Sequence, residues 1–136
     1  MRCLIAAVDR SVCDTILAAV HAFEVECDSV DLEQARVHLR RRKYDLAFVV
    51  FTSPSQSPEA DAASKLVDEV RELAPRLPIV GVARASRIAS HRGDKKKYFA
   101  LLGAPLDTLE LYRTIRRALD RVRTPAGAAR VVLPRS

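Results

Sequence analysis

The sequence predicts an α/β fold, a three-layer α/β/α sandwich on a five-stranded parallel sheet of order 2-1-3-4-5. The apolar runs CLIAAV, LAFVVF and IVGVA are short and continuous, with no polar alternation, as strands covered on both faces require. Between them lie segments whose apolar residues recur at helical spacing. Strands alternating with helices imply right-handed crossovers, which lay the strands parallel and put helices on both sides of the sheet.

The first strand is expected at residues 3–8 (CLIAAV), ending at Asp9. Ser11 can cap a following helix whose inner stripe is Ile16, Leu17 and Val20, closing near Phe23. The second strand is expected at residues 23–27 (FEVEC). Asp31 with Gln34 matches a capping box for a helix with Leu32, Ala35 and Leu39 inside. Arg36, Arg40, Arg41, Arg42 and Lys43 load the far end of that helix, where positive charge complements its dipole. Residues 46–51 (LAFVVF) are the most apolar run and are placed at the centre of the sheet.

A polar loop, TSPSQS, then leads to Ser57-Pro58-Glu59, which opens a helix carrying Leu66, Val67, Val70 and Leu73; Pro75 and Pro78 end it. Residues 79–83 (IVGVA) read as the fourth strand. The polar stretch 84–97 holds at most a short helix, and residues 98–102 (YFALL) read as the fifth strand. Asp107 and Glu110 form a second capping box, with Leu106 stapled to Leu111 at the head of a helix that carries Ile115 and Leu119. Residues 1–123 thus make one domain. Residues 124–136, with Pro125, Gly127 and Pro134 and no amphipathic pattern, are expected to be a flexible tail or linker.

At 136 residues, 49% hydrophobic and 29% charged, the chain has the size and balance of one packed domain. Its apolar runs fall far short of the ~20 residues of a membrane span, and no signal-type cleavage site follows the first run, so a cytoplasmic location is expected. Cys3, Cys13 and Cys27 have neither a C-x-x-C nor a zinc spacing and read as inert thiols. His21, His38 and His91 share no metal spacing, and no glycine-rich phosphate loop follows a strand, so neither a metal nor another cofactor is indicated. The formal charge of +6 favours acidic partners, whether protein or nucleic acid.

Four turns carry a family resemblance. Val8-Asp9 after the first strand, Thr52-Ser53-Pro54 after the third, Leu77-Pro78-Ile79 before the fourth and Ala104-Pro105-Leu106 before the last helix occur in order and at matching separations. Over residues 2–122 the chain resembles a response-regulator receiver domain, which implies a flavodoxin-like fold. Such receivers hold magnesium with an acidic pair after the first strand, and here the pair is Val8 and Asp9. Their phosphate acceptor, an aspartate four residues before the loop proline, matches Val50. Valine has no nucleophilic atom and no metal-ligating oxygen. The hydroxyl residue that binds the phosphoryl group matches Ala83, the phosphate-pairing lysine matches Ala104, and the aromatic switch position matches Leu101. A one-residue shift of the alignment could recruit only Asp45 or Asp94 as acceptor, and Asp45 precedes its strand.

The resemblance therefore implies a degenerate phosphorylation site at Val8, Asp9, Val50, Ala83 and Ala104, and a non-enzymatic pseudo-receiver acting without phosphorylation. In receivers the fourth helix, fifth strand and fifth helix dock a protein partner or a second copy. Here that face would carry Arg84, Arg87, Arg92, Lys95, Lys96 and Lys97 with Arg113, Arg116, Arg117 and Arg121. The alternative is a basic nucleic-acid-associated domain, for which the chain offers few aromatics to stack on bases. An enzyme or small-ligand binder at the carboxyl ends of the strands is disfavoured by the apolar residues there.

Overall fold

The computed structural model describes residues 1–7, 10–50, 58–84 and 98–123. Its elements run β1 (Arg2–Ala7), α1 (Arg10–Ala22), β2 (Glu26–Val30), α2 (Leu32–Arg41), β3 (Leu46–Val50), α3 (Pro58–Leu73), β4 (Ile79–Arg84), β5 (Ala100–Ala104) and α4 (Thr108–Arg123). The strands form one five-stranded sheet of order β2-β1-β3-β4-β5, and every pairing is parallel. The predicted fold class and strand order are both present.

Alternation along the strands sorts the core into two layers. Cys3, Ile5 and Ala7 of β1 join Leu46, Phe48 and Val50 of β3 and Val80 and Val82 of β4 on the face covered by α1 and α4. Leu4, Ala6, Ala47, Val49, Ile79 and Ala83 point the other way, against Leu32 and Ala35 of α2 and Leu66, Val67 and Val70 of α3. β3 is buried along its whole length, as its composition required.

The helix ends follow local chemistry. Asp31 caps α2, its Oδ1 accepting from the Gln34 backbone N–H at 2.7 Å. Asp107 Oδ1 accepts from the Leu109 N–H at 3.3 Å, and Leu106 packs on the same cluster that buries Leu111. α1 exits through a Schellman motif: Val25 N donates to Val20 O at 3.5 Å and Glu24 N to His21 O at 2.9 Å, with Glu24 left-handed at φ 59°.

Four expectations are corrected. α1 begins at Arg10, so Ser11 lies in its first turn and is not its cap. β2 runs from Glu26 to Val30 and not over 23–27, because Phe23, Glu24 and Val25 are consumed by the helix exit. β5 starts at Ala100, two residues later than read, since Tyr98 and Phe99 lead into the strand with their rings packed on opposite faces of the sheet. Leu73 is 51% exposed; Ala74 takes the inward position at the end of α3, with its N–H on Val70 O at 2.7 Å. The expected tail at 124–136, Phe51, and the stretch 85–97 lie outside the described residues.

Candidate functional site

The carboxyl edge of the sheet is where a doubly wound fold gathers ligand-binding groups. β3 ends there at Val50, which pairs with Ala7 of β1 on one side and Val82 of β4 on the other. Val50 is 1% exposed, and its side chain lies in the layer shared by Ala7, Val82 and Leu102. Ala104, at the end of β5, packs on the same layer, and the Ala104–Pro105 peptide bond is cis. Ala83 is fully buried on the opposite face, against the α2 and α3 layer, where Leu101 also packs. Val50 and Ala104 are thus brought to one side and Ala83 to the other, each among apolar neighbours. Val8 and Asp9 lie outside the described residues.

Asp45 sits at the opposite edge. Its carboxylate accepts the Arg2 backbone N–H at 2.9 Å, and its own N–H donates to Arg2 O at 2.8 Å, which ties it to the amino-terminal end of β1. It cannot serve as an acceptor at the far end of β3. Asp94, the other acid a shifted alignment could recruit, lies outside the described residues.

That amino-terminal edge holds a charged network that the sequence reading missed. Asp28 of β2 accepts from the Tyr44 hydroxyl at 2.7 Å and lies 3.4 Å from Arg42 and 3.6 Å from Arg2, which also pairs with Glu26 at 2.8 Å. The Tyr44 hydrogen bond, helped by Arg42 and Arg2, holds the Asp28 carboxyl below its ordinary range. Tyr44 is pushed up, first by burial and then by the hydrogen bond it donates to Asp28. The signal that could have found this network is the β1–β2 register, which sets Arg2 against Glu26 and, two residues on, Leu4 against Asp28. It was hidden because β2 was placed three residues early.

The basic face is built on α4. Leu111, Thr114, Ile115, Ala118 and Leu119 form its buried stripe; the Thr114 hydroxyl is satisfied by Glu110 O at 2.8 Å. This leaves Arg113, Arg116, Arg117 and Arg121 exposed on the outside. Arg117 and Arg121 both lie over the Phe99 ring, 5.8 and 5.7 Å from its centroid, so two of the arginines are held by the lead-in to β5. Leu109 and Tyr112, 56% and 37% exposed, share a stripe with Arg113 and Arg116 at i, i+3, i+4 and i+7. Arg84 is exposed at the end of β4, its backbone paired with Ala104 of β5. Arg87, Arg92, Lys95, Lys96 and Lys97 lie outside the described residues.

Among the described residues no group of His, Cys, Asp and Glu could hold a metal ion, and no helix is long and apolar enough to cross a membrane. No protein-family model matches the sequence, and no curated protein matches it. Solved structures do. A CheY-like response-regulator receiver domain protein from Methanospirillum hungatei superposes with a TM-score of 0.72 at 18% identity, covering 90% of this chain and 95% of that one. A sensor protein from Polaromonas sp. gives 0.71 at 22% identity, covering 89% and 97%. The receiver domain of NtrX from Brucella abortus gives 0.73 at 19% identity, covering 87% and 98%. At such identities the likeness is one of fold, and it extends over nearly the whole chain: this protein has the fold of the response-regulator receiver domains.

Proposed function

We propose that the chain is a pseudo-receiver, a non-enzymatic signalling module that works through protein contacts and without phosphorylation. The observation that carries this reading is Val50, at the carboxyl end of the central strand, 1% exposed and packed among Ala7, Val82 and Leu102. An acyl phosphate needs a carboxylate there, beside a metal held by oxygen ligands. Valine supplies neither, and Ala83 and Ala104 offer no hydroxyl or ammonium to a phosphoryl group.

The contact surface in this reading is the α4 face with Arg84, together with the basic stretch Arg87, Arg92, Lys95, Lys96 and Lys97. Its pattern supports an acidic protein partner over a nucleic acid. Leu109 and Tyr112 add apolar area beside Arg113 and Arg116, a combination that suits a protein interface. Phe99, an aromatic in that neighbourhood, is covered by Arg117 and Arg121 and so is not free to stack on a base.

The test is an amide-resolved NMR titration with magnesium and then beryllofluoride, a phosphoryl mimic. The reading expects no saturable shifts at Ala7, Val50 or Ala83; shifts clustered there would overturn it. For the surface, the double change Arg113→Glu and Arg116→Glu should abolish crosslinks to an acidic partner in cells while leaving the thermal transition within about 0.5 kcal/mol, the usual range for exposed substitutions. A shift of DNA or RNA that weakens steeply with salt would instead assign the patch to nucleic acid.

A further inference from the structure

The parallel register of the edge strand sets two of the three cysteines against each other. Cys3 of β1 pairs directly with Cys27 of β2, and both side chains lie on the face of the sheet covered by α1 and α4. Neighbouring strands run about 4.8 Å apart, inside the roughly 4.4–6.8 Å between Cα atoms that a disulfide spans. Cys13, buried on α1, is in register with neither.

Their surroundings differ in a way that divides the work. Cys3 is fully buried, whereas Cys27 is partly exposed on β2, a strand at the sheet edge. The neighbouring Cys3 thiol lowers the Cys27 thiol from its ordinary value against the opposing effects of burial and of Asp28; burial pushes the Cys3 thiol up, and its S–H donates to the Leu4 carbonyl at 3.8 Å.

We propose that Cys27 and Cys3 form a hydroperoxide-reactive dithiol in which Cys27 attacks and Cys3 resolves. The Cys27 thiolate attacks the distal oxygen of a hydroperoxide; the S–O bond forms, the O–O bond breaks, and the alkoxide or hydroxide leaving group takes a proton. Cys3 then gives up its thiol proton and attacks the Cys27 sulfenic acid. The S–S bond forms, the S–O bond breaks, and hydroxide leaves with that proton as water. The two sulfurs together lose two electrons, and the peroxide is reduced to alcohol, or water, plus water. The product would clamp β2 to β1. This site is independent of the docking face and of the carboxyl edge.

The experiment exposes the reduced full-length protein to hydrogen peroxide, blocks remaining thiols, and reads intact mass and a non-reducing peptide map. The expected result is one blocked thiol in place of the reduced control's three, at a mass about 2 Da below that of the protein with a single blocking group, the two thiol hydrogens, with an unchanged far-UV spectrum. After cleavage at Arg and Glu, residues 3–10 should be linked to residues 27–33, and the Cys13 peptide, residues 11–24, should stay free. In Cys3→Ser the reaction should halt at a sulfenic acid on Cys27 that dimedone traps. A link through Cys13, or no link in natively folded wild-type protein at peroxide levels that oxidise methionine, would overturn the proposal. The wild-type map decides the question even if a variant fails to fold.

Discussion

Glu24 occupies the left-handed position of the α1 exit, where a side chain crowds its own backbone and glycine fits without cost. Glu24→Gly should therefore stabilise the protein by about 0.5–1 kcal/mol and raise Tm by roughly 2–6 °C in a thermal melt. Tyr44 gives the opposite expectation. Removing its hydroxyl leaves Asp28 short of its closest hydrogen-bond donor, and Tyr44→Phe should cost about 1.5 kcal/mol in urea unfolding. The pH dependence follows from the two shifts. Asp28 is held below its unfolded value, so its contribution is present above about pH 4 and lost as pH falls further. Tyr44 is held above its unfolded value, so its contribution is present below about pH 10 and lost as pH rises past it. The variant should show a shallower acid limb and lack the tyrosine component of the alkaline limb. At this scale the sequence was legible where a cap is written in adjacent residues, as at Asp31 and Gln34. It was not legible at Glu24, because nothing in the glutamate itself announces a left-handed turn, and that one exit displaced the reading of β2.

Each strand meets its neighbours through a register, and Gly81 shows how tight one can be. It pairs with Leu101 of β5, and a Cβ at this position would lie 2.8 Å from Leu101 Cδ2 and 3.0 Å from the Tyr98 ring. Leu101 can swing away more easily than the ring, so Gly81→Ala should cost about 1 kcal/mol and Gly81→Val roughly 2–3 kcal/mol, measured as the shift in urea midpoint at constant slope. Helix periodicity was read correctly wherever the stripe lay over the sheet, as for Leu66, Val67 and Val70. It failed at Leu73, which faces the open groove between α3 and α2 while Ala74 turns to the core. That groove is bridged by Arg36 and Glu69 at 2.9 Å and lined by Val37 from the other side. A periodic pattern states which residues share a face; it does not state which flank of that face meets the sheet.

Among the described residues, the charged network and the apolar ends of the inner strands lie at opposite ends of the sheet. The amino-terminal edge carries Arg2, Glu26, Asp28, Arg42, Tyr44 and Asp45 in contact with one another, while Val50, Ala83 and Ala104 line the described part of the other edge with apolar groups. A carboxylate in place of the Val50 side chain would be buried among Ala7, Val82 and Leu102, so Val50→Asp should destabilise the fold by about 3 kcal/mol or more in urea, the scale of a buried charge in apolar surroundings. The strand order was legible because continuous apolar runs demand cover on both faces and right-handed crossovers leave few ways to provide it. The network at the other end was not, because it joins residues from β1, β2 and the loop before β3, and only the registers bring them together. The position of β1 has a further effect in time. It lies between β2 and β3, and Cys3 pairs with Leu46. On a ribosome adding about 5–20 residues per second, the apolar face and backbone of β1 remain without that partner for roughly 2–9 seconds after their own synthesis. During that interval a strand destined for the interior of the sheet presents an exposed edge.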